Sequence, residues 1–339
     1  MATALEIRRV DPFHTADVDS WWEAYASARR AEMGENALLW SLEESRTELQ
    51  QDSATTDRRA YLAVLDGVAV GSGSLALGLK DNLHSGMINV TVPPQFRRRG
   101  IGSALLAHIE AEAVAADRRV LRGETAWPAS APADGSGQPG REFARRHGYE
   151  IALGDFQNRL ALPVADAVID QLLDGAPADG YTIRSWTGPV PEGLVAEWAA
   201  LDALLDVEAP MGDLDLEAPS SEVEDFRAHE RMMAQQHRTS FGTVALAPDG
   251  RIAAYTQLVH SGDDGNAYQW GTLVRREDRG HRLGLRIKLE NLRRMQRHDA
   301  GIPCIHTFNA ESNQHMLAVN TMLGFEPTGR MAELQKRLS

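Results

Sequence analysis

One order of landmarks occurs twice along this chain, so any fold proposed for it must be a fold built twice. LEIRRV at 5–10 is echoed by YTIRSW at 181–186, with Ile7 and Ile183 176 positions apart. Asp66-Gly67 returns as Asp249-Gly250 after 183 positions, and Val92 as Val274 after 182. HGYE at 147–150 returns as LGFE at 323–326, which sets Gly148 and Gly324 176 apart. Four landmarks in one order at near-constant spacing mark a tandem duplication. With 339 residues and 43% hydrophobic content, the chain has material for two domains, each with its own core. The expected division is 1–162 and 180–339, joined by a linker at 163–179 with room for a short helix.

Hydrophobic periodicity supplies the elements of each copy. In the first, helices are expected at 15–30 and 41–52 and strands near 60–66, 68–78 and 86–92, the first two joined by the Asp66-Gly67 turn. Next comes a helix that places Ile101, Leu105, Leu106, Ile109 and Ala113 on one face, followed by a strand at 119–125 and a short helix at 140–147. In the second copy, helix 194–206, a Pro/Asp-rich loop and helix 221–237 precede a hairpin. Strand 267–274, helix 281–298, strand 303–308 and helix 312–323 follow, and both copies end in closing strands.

The stretch VPPQFRRRGIG, Val92 to Gly102, joins a strand to the amphipathic helix. Amides at the start of a helix have no partner within it, and the helix dipole adds positive charge there. Gly100 and Gly102 give an anion room to approach those amides, and Arg97, Arg98 and Arg99 supply charge. A solvated, charge-capped turn would look similar, but the preceding strand, the following helix and the second copy favour anion binding. A Rossmann loop would need a third glycine where Leu105 stands, and a Walker loop needs Gly-Lys-Ser/Thr, which is missing.

The Arg-x-x-Gly-x-Gly pattern after Val-x-Pro resembles the acetyl-CoA pyrophosphate loop of the GCN5-related N-acetyltransferase (GNAT) family. REFARRHGYE and NQHMLAVNTMLGFEP are similar to that family's later helix ending in Gly-aromatic. The resemblance covers each copy once and is that of tandem GNAT proteins. It implies an α+β fold of two tandem GNAT-like domains, each a mostly antiparallel mixed sheet flanked by helices and splayed to admit the pantetheine arm. It also implies acetyl-CoA as cosubstrate, held by Val90, Val92, Arg97, Arg98, Arg99, Gly100, Ile101, Gly102 and Ser103. In the second copy the matching positions are Val274, Arg279, Gly280, His281, Arg282, Leu283 and Gly284, with Asn309 and Asn313 as polar groups for the pantetheine arm or as helix caps. Arg282 stands where the family has its first glycine, so the second site is expected to be weaker, altered or vestigial.

Ala144 and Asn320 occupy the position at which many family members carry a tyrosine that protonates the departing thiolate. Glu124 is the candidate general base of the first copy, with only Asn89 on the strand before the loop; a surface or salt-bridged glutamate is the bland alternative. Asn320 and, secondarily, His306 are the polar candidates of the second. Trp21, Trp22, Tyr25, Met232 and Met233 read as core, and Asp213 and Asp215 as a solvated loop more than an acceptor contact.

Asp and Glu number 48 against 35 Lys and Arg, a net charge of −13 that argues against nucleic acid. The largest apolar runs fall short of the roughly 18–20 residues of a membrane span. MATALEIRRV has no apolar signal core, and Cys304 is the single cysteine, so a cytoplasmic protein without disulfide is expected. The histidine spacing suggests no metal. The expected activity is direct transfer of acetyl from acetyl-CoA to a primary amine of a small molecule or peptide, the acidic surface mildly favouring a cationic acceptor. Mycothiol-synthase-like acetylation of a cysteinyl amine and a non-catalytic acyl-CoA-binding sensor remain the alternatives.

Overall fold

The computed structural model describes residues 4–338. Its elements run β1 (Leu5–Arg9), α1 (Thr15–Met33), α2 (Leu42–Gln50), β2 (Thr56–Leu65), β3 (Val68–Gly78), β4 (Ser85–Thr91), α3 (Ile101–Ala115), β5 (Val120–Pro128), α4 (Pro139–Arg146) and β6 (Glu150–Ala161). They continue α5 (Asp166–Asp174), β7 (Thr182–Thr187), α6 (Val195–Glu208), α7 (Val223–Gln235), β8 (Arg238–Leu246), β9 (Ile252–Ser261), β10 (Ala267–Val274), α8 (Leu283–His298), β11 (Cys304–Ala310), α9 (Gln314–Leu323) and β12 (Glu326–Arg337). The chain divides into two units. The first comprises Met1–Phe156, Met211–Glu217 and Thr328–Ser339, and the second Gln157–Pro210 and Ala218–Pro327.

In the first unit the strand order is β1-β2-β3-β4-β5-β12. Every neighbouring pair is antiparallel except β4 with β5. Asp66 and Gly67 both have positive φ, the backbone that a two-residue hairpin turn needs. The expected stripe on α3 is buried: Ile101, Leu105, Leu106, Ile109 and Ala113 are each at most 3% exposed. Burying each of the larger aliphatic side chains contributes about 1.5–3 kcal/mol. Gly73 on β3 lets α3 come close, since a Cβ there would lie 2.6 Å from Ile109 Cδ1.

β12 supplies the last strand of this unit, pairing Gly329 with Pro128 through to Arg337 with Val120. Ala332 and Leu334 enter the core that holds Leu105 and Ile109. The loop Met211–Glu217 belongs to this unit as well. Asp215 meets His84 at 3.2 Å and Arg337 at 2.7 Å, and Asn82 accepts from the Glu217 amide at 2.9 Å. Asp213 and Asp215 therefore lie in a docked loop.

The second unit repeats the plan in the order β11-β10-β9-β8-β7, with β10 parallel to β11 and the other pairs antiparallel. α8 buries Leu283, Leu285, Ile287, Leu289, Leu292 and Met295. The stretch expected to link the copies contains α5, whose Ile169 and Leu173 are buried with Leu160 in this unit's core. Among the described residues no helix is long and apolar enough to cross a membrane.

Candidate active site

In the first unit the three arginines divide their work. Arg97 braces the loop: its Nε donates to the Val92 carbonyl at 2.8 Å and its Nη2 to Glu32 at 3.0 Å. Arg98, with φ of 63°, and Arg99 are exposed, and no ion pair or hydrogen bond holds either guanidinium among the described residues. They are the charges left for a ligand. Gly100 sits at the N-cap of α3 with φ of 80°, a backbone that costs an L side chain about 1–2 kcal/mol. The first bond of the helix runs from the Ala104 amide to the Gly100 carbonyl at 3.0 Å. The amides of Gly100, Ile101, Gly102 and Ser103 precede it and remain for an anion. The Ile101 side chain is core, so that residue can offer only its amide. At Gly102 a Cβ would stand 3.2 Å from the Phe143 ring, so glycine keeps α3 and α4 close here.

A cleft of about 660 Å³ opens over this loop, lined by Val90, Val92, Arg97, Arg98, Gly100, Gly102, Ser103 and Phe143 among others. It runs on because β4 and β5 part. They pair only from Ser85 with Val120 to Ile88 with Gly123, and the strands diverge beyond. An inner chamber of about 80 Å³ lies there, lined by Arg29, Asn89, Thr91, Glu124 and Thr125 among others. Glu124 lines this chamber and is exposed on its open side. Loss of hydration raises its pKa above the usual carboxylate value, while Arg29 and Arg122 pull it back. A carboxylate with a raised pKa is of the kind a general base requires. Ala144 is buried and has no acid to offer, and the neighbouring Tyr149 hydroxyl is spent on Glu110 at 3.0 Å. Burial and Glu110 hold the Tyr149 phenol protonated.

The second unit copies the brace and changes the rest. Arg279 Nε donates to the Val274 carbonyl at 3.2 Å and its Nη2 to Glu208 at 3.0 Å, matching Arg97 with Val92 and Glu32. Gly280 has positive φ, as Arg98 does. Arg282 keeps the left-handed N-cap conformation of Gly100, with φ of 53° and ψ of 23°, and its guanidinium donates to the Gly175 carbonyl at 2.7 Å. His281 packs against Tyr181, Leu283 is core, and Gly284 approaches Val274. A cleft of about 800 Å³ is lined by Val274, Arg279, Gly280, Arg282, Leu283, Gly284 and Asn313 among others.

Asn313 caps α9, accepting from the Met316 amide at 3.2 Å. Asn320 and Asn309 are engaged elsewhere: Lys288 Nζ donates to Asn320 Oδ1 at 2.8 Å, and Asn320 Nδ2 to Asn309 Oδ1 at 2.5 Å. Burial lowers the Lys288 ammonium to about 7. His306 is buried and lowered to about 4, chiefly by lost hydration, with its Nε2 3.3 Å from Cys304 Sγ.

Sequence reasoning missed Glu32, Arg29 and Lys288. Glu32 was within reach, since Glu208 lies 176 positions on, at the spacing of the other landmarks. Arg29 has Leu205 at that spacing, so the repeat carries no signal for it. Trp21, Trp22 and Tyr25, expected in the core, are only half-buried; the indole nitrogens of Trp21 and Trp22 donate to the carbonyls of Gly73 and Trp40, both at 2.9 Å. Met232 and Met233 are buried.

Residues 18–126 match the profile of the acetyltransferase (GNAT) family. The chain is 28% identical over 283 residues to a mycothiol acetyltransferase of Stackebrandtia nassauensis, covering 82% of each. Among solved structures it resembles a tandem GNAT protein from the clavulanic acid biosynthesis pathway, with a TM-score of 0.80, 28% identity and 98% of both chains covered. A GCN5-related N-acetyltransferase from Sphaerobacter thermophilus shares the fold at a TM-score of 0.66 and 17% identity, covering 98% of this chain and 95% of that one.

Proposed function

The chain belongs to the acetyltransferase (GNAT) family in its tandem form, and from that premise we propose that it moves an acetyl group from acetyl-CoA to a primary amine. The observation that carries the reading is the pair of adjoining clefts in the first unit, one at the glycine loop and one at the parting of β4 and β5 by Glu124, which share Glu32, Val90, Thr91, Gly140 and Phe143 in their walls. The amides of residues 100–103, with Arg98 and Arg99, would hold the pyrophosphate, and Val90 and Val92 would border the pantetheine arm. We take the repeated copies as 1–162 and 180–339, with the first as the acetyl-CoA site, in a soluble cytoplasmic enzyme.

In the reaction, Glu124 takes a proton from the acceptor ammonium. The freed nitrogen pair attacks the thioester carbonyl carbon, the nitrogen gives up a second proton to water, the C–S bond breaks, and the thiolate leaves and gains a proton from solvent. Positioning two reactants in one cleft supplies much of the rate. Cys304 is buried on β11 in the second unit, so no acyl-enzyme on that thiol is invoked. The mycothiol acetyltransferase relative favours a second acceptor, a cysteinyl amine of that kind.

Calorimetry with acetyl-CoA tests the site. Gly100→Val with Gly102→Leu should weaken binding by about tenfold or more, which is about 1.4 kcal/mol; equal affinity in a folded double variant removes the loop from the scheme. An amine-library screen that follows free thiol tests the reaction, and binding without any transfer would mark a sensor.

A further inference from the structure

The inner chamber of the first unit carries charge of both signs. Glu32, at its mouth, is bound by Arg97 at 3.0 Å. Asn89, Thr91 and Thr125 are neutral, and Thr91 is tied to Ser72 at 2.6 Å. Two charged side chains remain, Arg29 and Glu124. No hydrogen bond or ion pair engages either of them among the described residues. Arg29 nonetheless acts on Glu124 as its strongest nearby positive charge. A half-buried guanidinium that acts on Glu32 and Glu124 only at a distance, with no hydrogen bond of its own, gives up hydration, and a ligand anion in contact with it restores what it lost.

A plain cation such as a polyamine meets Glu124 but is repelled by Arg29. A neutral amine leaves the guanidinium unsatisfied. A ligand with one positive and one negative group close together satisfies both. We propose that the acceptor is an amine bearing a carboxylate beside the amino group, of the α-amino acid class, with its carboxylate on Arg29 and its ammonium at Glu124. This rests on the acetyltransferase reading and names the substrate class of the same site. In the second copy Leu205 stands at the repeat position of Arg29, so the carboxylate anchor belongs to the first copy alone. Arg29 is a specificity-determining residue here, set apart from the loop that takes acetyl-CoA.

The full chain is assayed for release of coenzyme A thiol with three matched acceptor sets: free amino acids, their α-carboxamides and the corresponding decarboxylated amines. A carboxamide lowers the basicity of the neighbouring amine and leaves more of it unprotonated, so preference for the acid runs against intrinsic reactivity. The expected kcat/KM for the acid exceeds that for its carboxamide by about tenfold or more. Arg29→Gln should collapse that ratio through acceptor KM, and Arg29→Lys should restore part of it. Calorimetric acetyl-CoA binding reports that both variants fold. The proposal is overturned if the wild type prefers carboxamides or decarboxylated amines, or if Arg29→Gln weakens acetyl-CoA instead of the acceptor. Transfer to amines without carboxylates would leave the acetyltransferase reading standing and sink this one. If acetyl-CoA binds and no amine turns over, the acetyltransferase reading fails. Calorimetry of free amino acids against the coenzyme A complex then decides: binding lost in Arg29→Gln supports the carboxylate site, and no binding to the wild type overturns it.

Discussion

To act as the base, Glu124 must be ionised when the amine arrives, and its surroundings make it hold its proton more tightly than an ordinary carboxyl. Lost hydration raises its pKa, with Arg29 and Arg122 opposing. As the base, it should give a rate that climbs with pH along a limb lying above the ordinary carboxylate range. Ala144 offers no hydroxyl whose loss at high pH would add a falling limb. Glu124→Gln is expected to cut kcat by about 10²-fold and remove that limb from the kcat/KM profile. The same shift has a stability sign. A carboxyl that binds its proton more tightly folded than unfolded lends stability at low pH, and this is lost as pH rises through the folded value. Glu124 is open to the cleft, so solvent screens this contribution and Glu124→Gln is expected to lower activity while changing Tm little. An unchanged pH profile would remove Glu124 from the role of base. Lys288 has the opposite sign. Its ammonium is lowered to about 7 by burial, so the unfolded chain binds the proton more tightly over the range from about 7 to the ordinary lysine value. The second unit should gain stability as pH rises through that window. Lys288→Met should flatten the gain in denaturant titrations at pH 7 and 9, although it leaves Asn320 Oδ1 without its donor. A wild-type stability flat across that window would contradict the assignment.

At the scale of elements, the strands, helices and hairpin turns were largely legible, because each rests on local chemistry. The 3.6-residue stripe of α3 and the Asp-Gly turn of β2 and β3 can be read without knowing what they pack against. The loop before α3 could be read as a candidate anion site, but not the division of labour within its arginines. Which guanidinium becomes a brace depends on Glu32, a helix residue 65 positions away. Asn309 and Asn320 show the same limit: as letters they look like ligand contacts, and only packing reveals that buried Lys288 donates to Asn320, which in turn donates to Asn309. Arg282 is the informative departure. It accepts the left-handed backbone that Gly100 takes freely, at about 1 kcal/mol, and its side chain is anchored to Gly175. The second loop is therefore expected to bind coenzyme A more weakly than the first. Calorimetry on the intact chain should show one tight site and a second at least about tenfold weaker or silent. Arg282→Gly should strengthen the second alone; two equal tight sites in the wild type would refute the asymmetry.

At the scale of the molecule, the sequence repeats as two consecutive copies, but the first unit is not assembled from consecutive residues. Alternating burial along β12 says that one face of the strand is covered, and nothing in that pattern says by which sheet. In the structure Ala332 and Leu334 of β12 lie in the core of the first unit, and nine residues from Gly329 to Arg337 pair with β5. β5 carries Glu124, whose partner in the register is Glu333. Lys336 adds an ion pair with Glu110 of α3 at 2.7 Å, so the helix that begins at the glycine loop also leans on the C-terminal strand. The candidate site at residues 90–124 thus depends on residues more than 200 positions away. Deleting 326–339 should abolish acetyl-CoA binding by the first unit, although every residue of its loop and Glu124 remains. A fragment of residues 1–162 should likewise fail to bind, and fusing 326–339 to its end through a flexible linker should restore binding. The strand removes β5 from the sheet edge and buries two side chains worth a few kcal/mol together, which is a large share of a domain's stability. If the bare 1–162 fragment binds acetyl-CoA as tightly as the full chain, β12 is dispensable to the site and the dependence argued from its register is wrong.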